Sequence, residues 1–210
     1  MGSDHHMPKH IARLAAGTVV ALSLLTACSG GTGGTAEPPA SGTPGPTSSD
    51  NSSSNGVPKV PAPLPTEKLL ADPCSALSDS DVQALGLASP GKTNDNTPRG
   101  CDWQSSDPEL SSNGIVISPL PQNKNGLADT YSMKSSQAYF EPTQIAGYPA
   151  VFASAQDSRK SGACALVVGV TDQLTVAIVD GINKGKNHDN PCEPLTKIGT
   201  AMINHLKTES

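Results

Sequence analysis

Residues 164–178 read CALVVGVTDQLTVAI and contain the pattern that decides the fold. Large apolar side chains alternate with smaller ones on both sides of a polar Thr171-Asp172-Gln173 turn. Because successive side chains of a strand point to opposite faces of a sheet, this alternation predicts a β-hairpin. One face of the hairpin carries the large side chains, namely Cys164, Leu166, Val168, Val170, Leu174, Val176 and Ile178. Such a face needs a cover, and we expect helices to provide it.

Helices are predicted on both sides of this hairpin. The last one begins near Pro191, since proline is tolerated in a first turn. Its apolar residues recur at helical spacing: Leu195, Ile198, Met202, Ile203 and Leu206. A short early helix has Ser78 as its N-cap and Gly86 as its stop. A third helix is predicted over residues 127–140.

Further strands are predicted at three places. Cys101-Asp102-Trp103 follows a Pro98-Arg99-Gly100 turn, and its alternation places Cys101 and Trp103 on one face. Residues 114–118 form a second strand that Pro119 ends, and Val151 and Ala153 belong to a third. The order of elements predicts an α+β domain in which helices pack on an antiparallel β-sheet.

Four of the five cysteines fall in this region: Cys74, Cys101, Cys164 and Cys192. An even number in an exported domain predicts two disulfides, which can connect in three ways. We favour the pairs Cys74–Cys101 and Cys164–Cys192, because each joins elements that are close in sequence. Each would close a loop of roughly 30 residues, worth about 3.5 kcal/mol in the chain-entropy model. Cys-x-x-Cys spacing is absent, so the pattern fits neither a redox motif nor a zinc knuckle.

The fifth cysteine, Cys28, predicts the location of the protein. Lys9 and Arg13 precede an uncharged, mostly apolar stretch over residues 14–27, which is typical of a secretory signal peptide. The stretch is shorter than the about 20 apolar residues of a spanning helix. Leu25-Thr26-Ala27-Cys28 is the lipobox of a bacterial lipoprotein, whose cysteine receives diacylglycerol. Attachment by more than one acyl chain, diacylglycerol with or without palmitate, would hold the protein stably on the extracytoplasmic face of the cell membrane.

Composition divides the chain into three parts. Residues 1–27 are the signal peptide, and residues 28–66 comprise the lipidated Cys28 and a tether of Gly, Ser, Thr and Pro. Such a composition buries too little apolar surface to fold, so we expect the tether to be disordered. All aromatic residues lie beyond residue 100. Residues 67–210 therefore form the single disulfide-stapled α+β domain.

Charge excludes one class of partner. The chain has 14 basic and 19 acidic side chains, a net charge of −5, and no basic cluster in the expected domain. Nucleic acids require such a cluster, so we expect no nucleic-acid partner. The expected contact with the membrane is the diacylglyceryl-cysteine itself.

The cysteines stand in short motifs that together resemble a known family. The motifs are Asp72-Pro73-Cys74-Ser75-Ala76-Leu77, Arg99-Gly100-Cys101-Asp102-Trp103, Gly147-Tyr148-Pro149-Ala150-Val151, Gly162-Ala163-Cys164 and Pro191-Cys192-Glu193. Their order and spacing resemble the actinobacterial lipoproteins that carry domain of unknown function 3558. The resemblance covers nearly all of the expected domain. It implies an exported, lipid-anchored domain with paired cysteines, and no established activity.

No catalytic or metal-binding constellation emerges from the sequence. His188 and His205 belong to no ligand pair, and the nucleophile and phosphate-binding motifs of known enzymes are absent. We therefore assign no catalytic residue, no metal ligand and no cofactor. Asp79 and Asp81 are interpreted as helix-capping charges, Asn94-Asp95-Asn96 as a solvated turn, and Trp103 as a core residue. Tyr139, Phe140 and Tyr148 are the candidates for an exposed binding surface.

These observations favour a non-enzymatic module of the cell envelope that binds or senses a ligand. An accessory module that docks on a protein of a membrane complex is the alternative, and a hydrolase acting on wall material is a third. The ligand, whether a small molecule or an envelope protein, is not specified by any motif.

Replacing Cys28 tests the anchor. Radiolabelled palmitate should be incorporated into the exported chain and lost in Cys28→Ala, because the thiol is the acceptor of the lipid. Equal labelling of the two chains, or labelling of neither, would contradict the assignment.

Overall fold

The structure is a computed structural model that describes residues 56–106 and 112–209. Cys28, the expected signal peptide and most of the expected tether lie outside the described residues. The helices are α1 Glu67–Ala71, α2 Asp79–Ala84, α3 Leu127–Ser132 and α4 Cys192–Thr208. The strands are β1 Lys92–Asn94, β2 Gly100–Trp103, β3 Ser112–Leu120, β4 Tyr139–Ile145, β5 Tyr148–Ser154, β6 Ala163–Thr171 and β7 Leu174–Ile182. None of these helices has the length and hydrophobicity of a membrane span.

All seven strands form one sheet, in the order β1-β2-β3-β7-β6-β5-β4. Every neighbouring pair is antiparallel. The helices pack against this sheet, which confirms the predicted α+β class. The β6–β7 hairpin lies near the centre, and its register pairs Leu166 with Ile178 and Val168 with Val176. The predicted apolar face is therefore continuous across both strands.

Helix α4 covers that face. Its apolar stripe is buried to 2 % exposure or less at Leu195, Ile198, Met202, Ile203 and Leu206. Gly199 allows the close approach, since a Cβ there would lie 3.3 Å from Leu166 Cδ2 and 3.1 Å from Ile145 Cγ2. The opposite face is covered in part by α3, where Leu127 packs with Val151 and Ala153.

The local signals before α2 also fold as predicted. Ser78 accepts from the backbone N–H of Asp81, and the Asp81 carboxylate accepts in return from the N–H of Ser78, forming a capping box. Gly86 follows the helix with φ of +69°, a conformation that favours glycine at a helix end. Cys101 and Trp103 share one face and are buried at 0 % and 2 % exposure.

The two disulfides are Cys74–Cys101 and Cys164–Cys192, the pairing favoured from the sequence. The first joins the 3-10 turn Pro73–Ala76 to β2. The second joins β6 to the first residue of α4. Both bonds therefore attach a helical segment to the sheet that it covers.

Strand β3 is longer than predicted, because Pro119 lies inside it and pairs with Val176. A proline removes a backbone donor and is expected at strand ends. The pairing of β2 with β3 extends no further than Ile117, so β3 has a free edge at Pro119. A missing N–H on that edge costs no ladder hydrogen bond.

The predicted helix over residues 127–140 is wrong in its second half. Helix α3 ends at Ser132, a 3-10 turn follows at Lys134–Ser136, and β4 begins at Tyr139. Serine is a weak helix former. Pairing of β4 with β5 satisfies the backbone of Tyr139 and Phe140 instead, so tertiary structure overrides the helical pattern.

The packed chain also begins earlier than the expected domain start at residue 67. The Leu64 N–H donates to the Val170 carbonyl at 3.0 Å, and the Leu64 side chain is buried. The Val60 N–H donates to Asp172 Oδ1 at 3.1 Å. This segment therefore belongs to the folded unit.

Removal of a disulfide should lower stability substantially. The double variant Cys164→Ala/Cys192→Ala should lose about 3.5 kcal/mol of unfolding free energy, because the bond closes a long loop. Guanidinium chloride unfolding measures the change, and Cys28→Ala, which leaves both disulfides intact, is the control. A loss below about 1 kcal/mol would show that this bond contributes little.

Candidate functional site

Tyr139 and Tyr148 do not form the exposed surface expected from the sequence, because they are only 6 % and 4 % exposed. The Tyr139 hydroxyl accepts from the Ala165 N–H at 3.1 Å. The Arg159 guanidinium lies 4.2 Å from the centre of the Tyr139 ring. These contacts assign Tyr139 to the support of β4 and β6.

The other two aromatic candidates are also packed. The Tyr148 hydroxyl donates to the Ala62 carbonyl at 2.9 Å, which attaches the segment before α1 to the sheet. Phe140 is half-buried and meets Tyr131 edge to face, with ring centres 5.0 Å apart. Tyr139 and Tyr148 are therefore not exposed as expected, whereas Phe140 is half-buried.

Neither histidine of the domain has a second ligand beside it. His188 Nδ1 lies 3.0 Å from Asp189 Oδ1, and His205 Nε2 lies 3.4 Å from Glu209 Oε1. Among residues 56–106 and 112–209, no three side chains of His, Cys, Asp or Glu are grouped to hold a metal ion.

A cleft of about 510 Å³ opens between the ends of several elements, and we call it the Asp180 cleft. It lies where α2 ends, β3 begins, β7 ends and the first turns of α4 pass. The described apolar side chains that line it are Ala84, Leu85, Leu87, Ile115, Ile182, Pro194 and Ile198. The polar ones are Ser105, Ser106, Asp180, Lys184, Lys186, Asn187 and Lys197.

Asp180 is the buried acid of this cleft, at 4 % exposure. It follows Leu174, Val176 and Ile178 at strand spacing, so it lies on the apolar face beneath α4. The Cys164 N–H donates to Asp180 Oδ1 at 2.9 Å. Asp180 Oδ2 has no hydrogen-bond partner among the described residues.

Burial raises the pKa of Asp180 from its ordinary 3.8 to about 7, since the ionised form is poorly solvated there. The hydrogen bond from Cys164 acts in the opposite direction and is outweighed. The carboxyl group can therefore gain or lose a proton near neutral pH. It can donate a hydrogen bond from Oδ2 when protonated and accept one when ionised.

Cationic side chains stand around the mouth of the cleft. Lys184 and Lys186 belong to the loop after β7 and are exposed. Lys197 lies on α4 and is bonded to Glu193 at 2.8 Å. The Asp180 cleft thus combines a cationic rim, apolar walls and one buried acid, which are the components of a ligand-binding pocket.

The hydroxyl groups that line the cleft belong to Ser105 and Ser106. The Ser106 hydroxyl donates to the Gly86 carbonyl at 2.9 Å, which connects the segment after β2 to the segment after α2. The described lining residues include no histidine. Asp180 is the lining side chain whose pKa burial brings to about 7.

The apolar alternation that predicts the second strand of the hairpin ends at Ile178, so it does not include Asp180. One signal could have found it. An aspartate two residues further continues the apolar face, and a charged residue at an apolar position is a candidate for a functional role. The sequence does not show that Leu85, Ile115 and Lys197 line one cleft, because these residues belong to segments that are far apart in the chain.

Comparison with known proteins identifies one related family. The family model described as "Protein of unknown function (DUF3558)" matches residues 23–205, which is most of the chain. No curated protein and no solved structure matches the chain.

The raised pKa of Asp180 predicts a pH-dependent stability. Between about pH 4 and about pH 7 the folded protein keeps a proton that the unfolded chain has released. The free energy of unfolding should therefore fall as the pH rises through this range, by a few kcal/mol.

In Asp180→Asn this fall should disappear, because the amide does not titrate. Urea unfolding at several pH values measures it. Asp79→Asn, at an exposed helix-capping site, is the control and should keep the fall. The same pH dependence in the wild type and Asp180→Asn would contradict a buried acid.

Proposed function

We propose that this chain, which belongs to the DUF3558 family, is a lipid-anchored extracytoplasmic protein that binds a small ligand in the Asp180 cleft. The observation that supports the proposal best is that Asp180, a buried acid, lines an open cleft and that its Oδ2 atom has no partner among the described residues. A buried polar atom without a partner costs about 1–3 kcal/mol. A ligand group that bonds to this atom would remove the cost.

The dimensions of the cleft favour a small molecule. A volume of about 510 Å³ lies within the range of about 300–1,000 Å³ that is typical of ligand pockets. Apolar walls with a few polar groups are also typical of such pockets. The cleft is therefore suited to a compact ligand of mixed polarity.

The disulfide Cys164–Cys192 supports binding by holding the cleft in shape. Cys164 pairs with Asp180 across β6 and β7, and Cys192 begins the helix that lines the opposite wall. A site whose walls are fixed in advance loses less entropy when a ligand binds. The bond thus preorganises the acid against α4.

The location rests on the sequence around Cys28 and on the disulfides. Both bonds are consistent with an oxidising, extracytoplasmic compartment. In our proposal, diacylglycerol on Cys28 attaches the protein to the outer face of the membrane. In the same proposal, the tether predicted over residues 28–66 would let the cleft meet ligands near that surface.

A protein-interaction module is the second candidate function. Val179 is 41 % exposed on the sheet face opposite α4. A partner protein that packs on this face would bury it. The candidate has weaker support than ligand binding, because an isolated exposed apolar side chain is common on protein surfaces.

Ligand binding can be tested with the uncharged apolar dye N-phenylnaphthylamine. The full-length chain with Cys28→Ala, which carries no acyl chain to compete for the dye, should give a saturable rise in fluorescence. Ala84→Phe in this background should weaken dye binding roughly tenfold, equivalent to about 1.4 kcal/mol, because the exposed Ala84 side chain lines the cleft.

Ala155→Phe is the matched control, since Ala155 is exposed and is not a lining residue. It should bind the dye like the parent chain. Absence of saturable binding, or equal binding by the Ala84 and Ala155 variants, would contradict a ligand site in the Asp180 cleft.

A further inference from the structure

We infer that the ligand of the Asp180 cleft is an apolar acid with a hydroxyl group at the end remote from its anionic group. The anionic group would lie at the lysine rim, and the hydroxyl would reach Asp180. This inference rests on the proposed function and specifies its ligand class. It follows from the exposure of the lining residues, since Lys184 and Lys186 are exposed whereas Leu87, Ile198 and Asp180 are buried.

The rim selects for negative charge. Lys184 and Lys186 form no ion pair at contact distance with any described residue, whereas Lys197 is bonded to Glu193. Two ammonium groups at the mouth thus lack a carboxylate at contact distance, and Lys186 attracts Glu193 only at longer range. A rim that carries charges of one sign concentrates ligands of the opposite sign and repels cations. An anionic group is therefore favoured at this end of the ligand.

The walls select for an apolar body. The lining residues Leu87 and Ile198 are buried, at 7 % and 2 % exposure, and give the inner part of the cleft an apolar surface. Ile115 and Ile182 extend the apolar surface from the adjacent strands. A sugar or an inorganic anion would leave its polar groups unbonded against these side chains. An aliphatic or aromatic body would bury its surface there.

Asp180 selects the remote group of the ligand. Its Oδ2 atom lacks a partner among the described residues, and its Oδ1 atom already accepts from Cys164. A hydroxyl can both donate and accept, so it satisfies Oδ2 in either protonation state of the acid. A second carboxylate would be repelled by the ionised form, and an ammonium group would have to pass the cationic rim.

Calorimetric titration with four matched probes tests the inference. The probes are ω-hydroxydodecanoate, its methyl ester, dodecanoate, and ω-hydroxydodecylamine, added to the full-length chain with Cys28→Ala. We expect ω-hydroxydodecanoate to bind roughly tenfold tighter than dodecanoate, the factor that one hydrogen bond to a buried group contributes. It should also bind roughly tenfold tighter than the ester, and the amine should bind most weakly.

Variants separate the two ends of the site. Lys184→Gln/Lys186→Gln should abolish the preference for the acid over the ester. Lys124→Gln/Lys160→Gln is the matched control, because both lysines are exposed and do not line the cleft. Asp180→Leu should abolish the preference for ω-hydroxydodecanoate over dodecanoate. If Asp180→Leu does not fold, the affinities of ω-hydroxydodecanoate and dodecanoate for the parent chain still test whether the remote hydroxyl is recognised.

The outcomes distinguish this inference from the proposed function. Equal affinity for ω-hydroxydodecanoate and its methyl ester, or for ω-hydroxydodecanoate and dodecanoate, overturns the ligand class. If the dye still binds saturably, the cleft remains a ligand site. Loss of saturable dye binding overturns the proposed function itself. Preference for the amine would reverse the inferred charge and also overturn the ligand class.

Discussion

The packing of α4 on the β6–β7 hairpin is the interaction on which the rest of the structure depends. The large side chains of the hairpin, such as Leu166 and Ile178, are fully buried beneath the helix. The Cys164–Cys192 bond holds the first turn of α4 at the beginning of β6. Hydrophobic burial supplies the driving force, and the disulfide limits how far the unfolded chain can expand. Together they set the position of the wall that faces Asp180.

That same constraint explains why a buried acid is tolerated. Asp180 occupies an apolar position of β7, where an isolated charge is costly. Its carboxyl group keeps one hydrogen bond to the backbone of Cys164 and stays partly protonated near neutral pH. Burial of the apolar stripe of α4 stabilises the fold by more than the buried carboxyl group of Asp180 destabilises it. Ionisable groups whose pKa is strongly shifted by burial are common at functional sites of proteins.

Much of the fold could be predicted because its signals are local. Alternation identified the hairpin, helical spacing identified α4, and the capping residue Ser78 identified α2. The prediction over residues 127–140 failed in its second half because Tyr139 and Phe140 pair with Ser154 and Ala153 of β5, which lie outside the segment whose helical pattern was considered. Pro119 was predicted to end its strand but lies inside β3. A proline is tolerated there because β2 does not pair with this part of β3, which only the assembled sheet shows.

The sequence by itself determined the α+β class, the favoured cysteine pairing and the family resemblance, because periodicity, cysteine spacing and short motifs are properties of neighbouring residues. Only the tertiary structure decided that Tyr139 and Tyr148 are packed, and that a buried acid, apolar walls and lysines converge on one cleft. Those facts depend on strand register and on the angle at which α4 crosses the sheet. Both are set by the packing of side chains that are far apart in the chain.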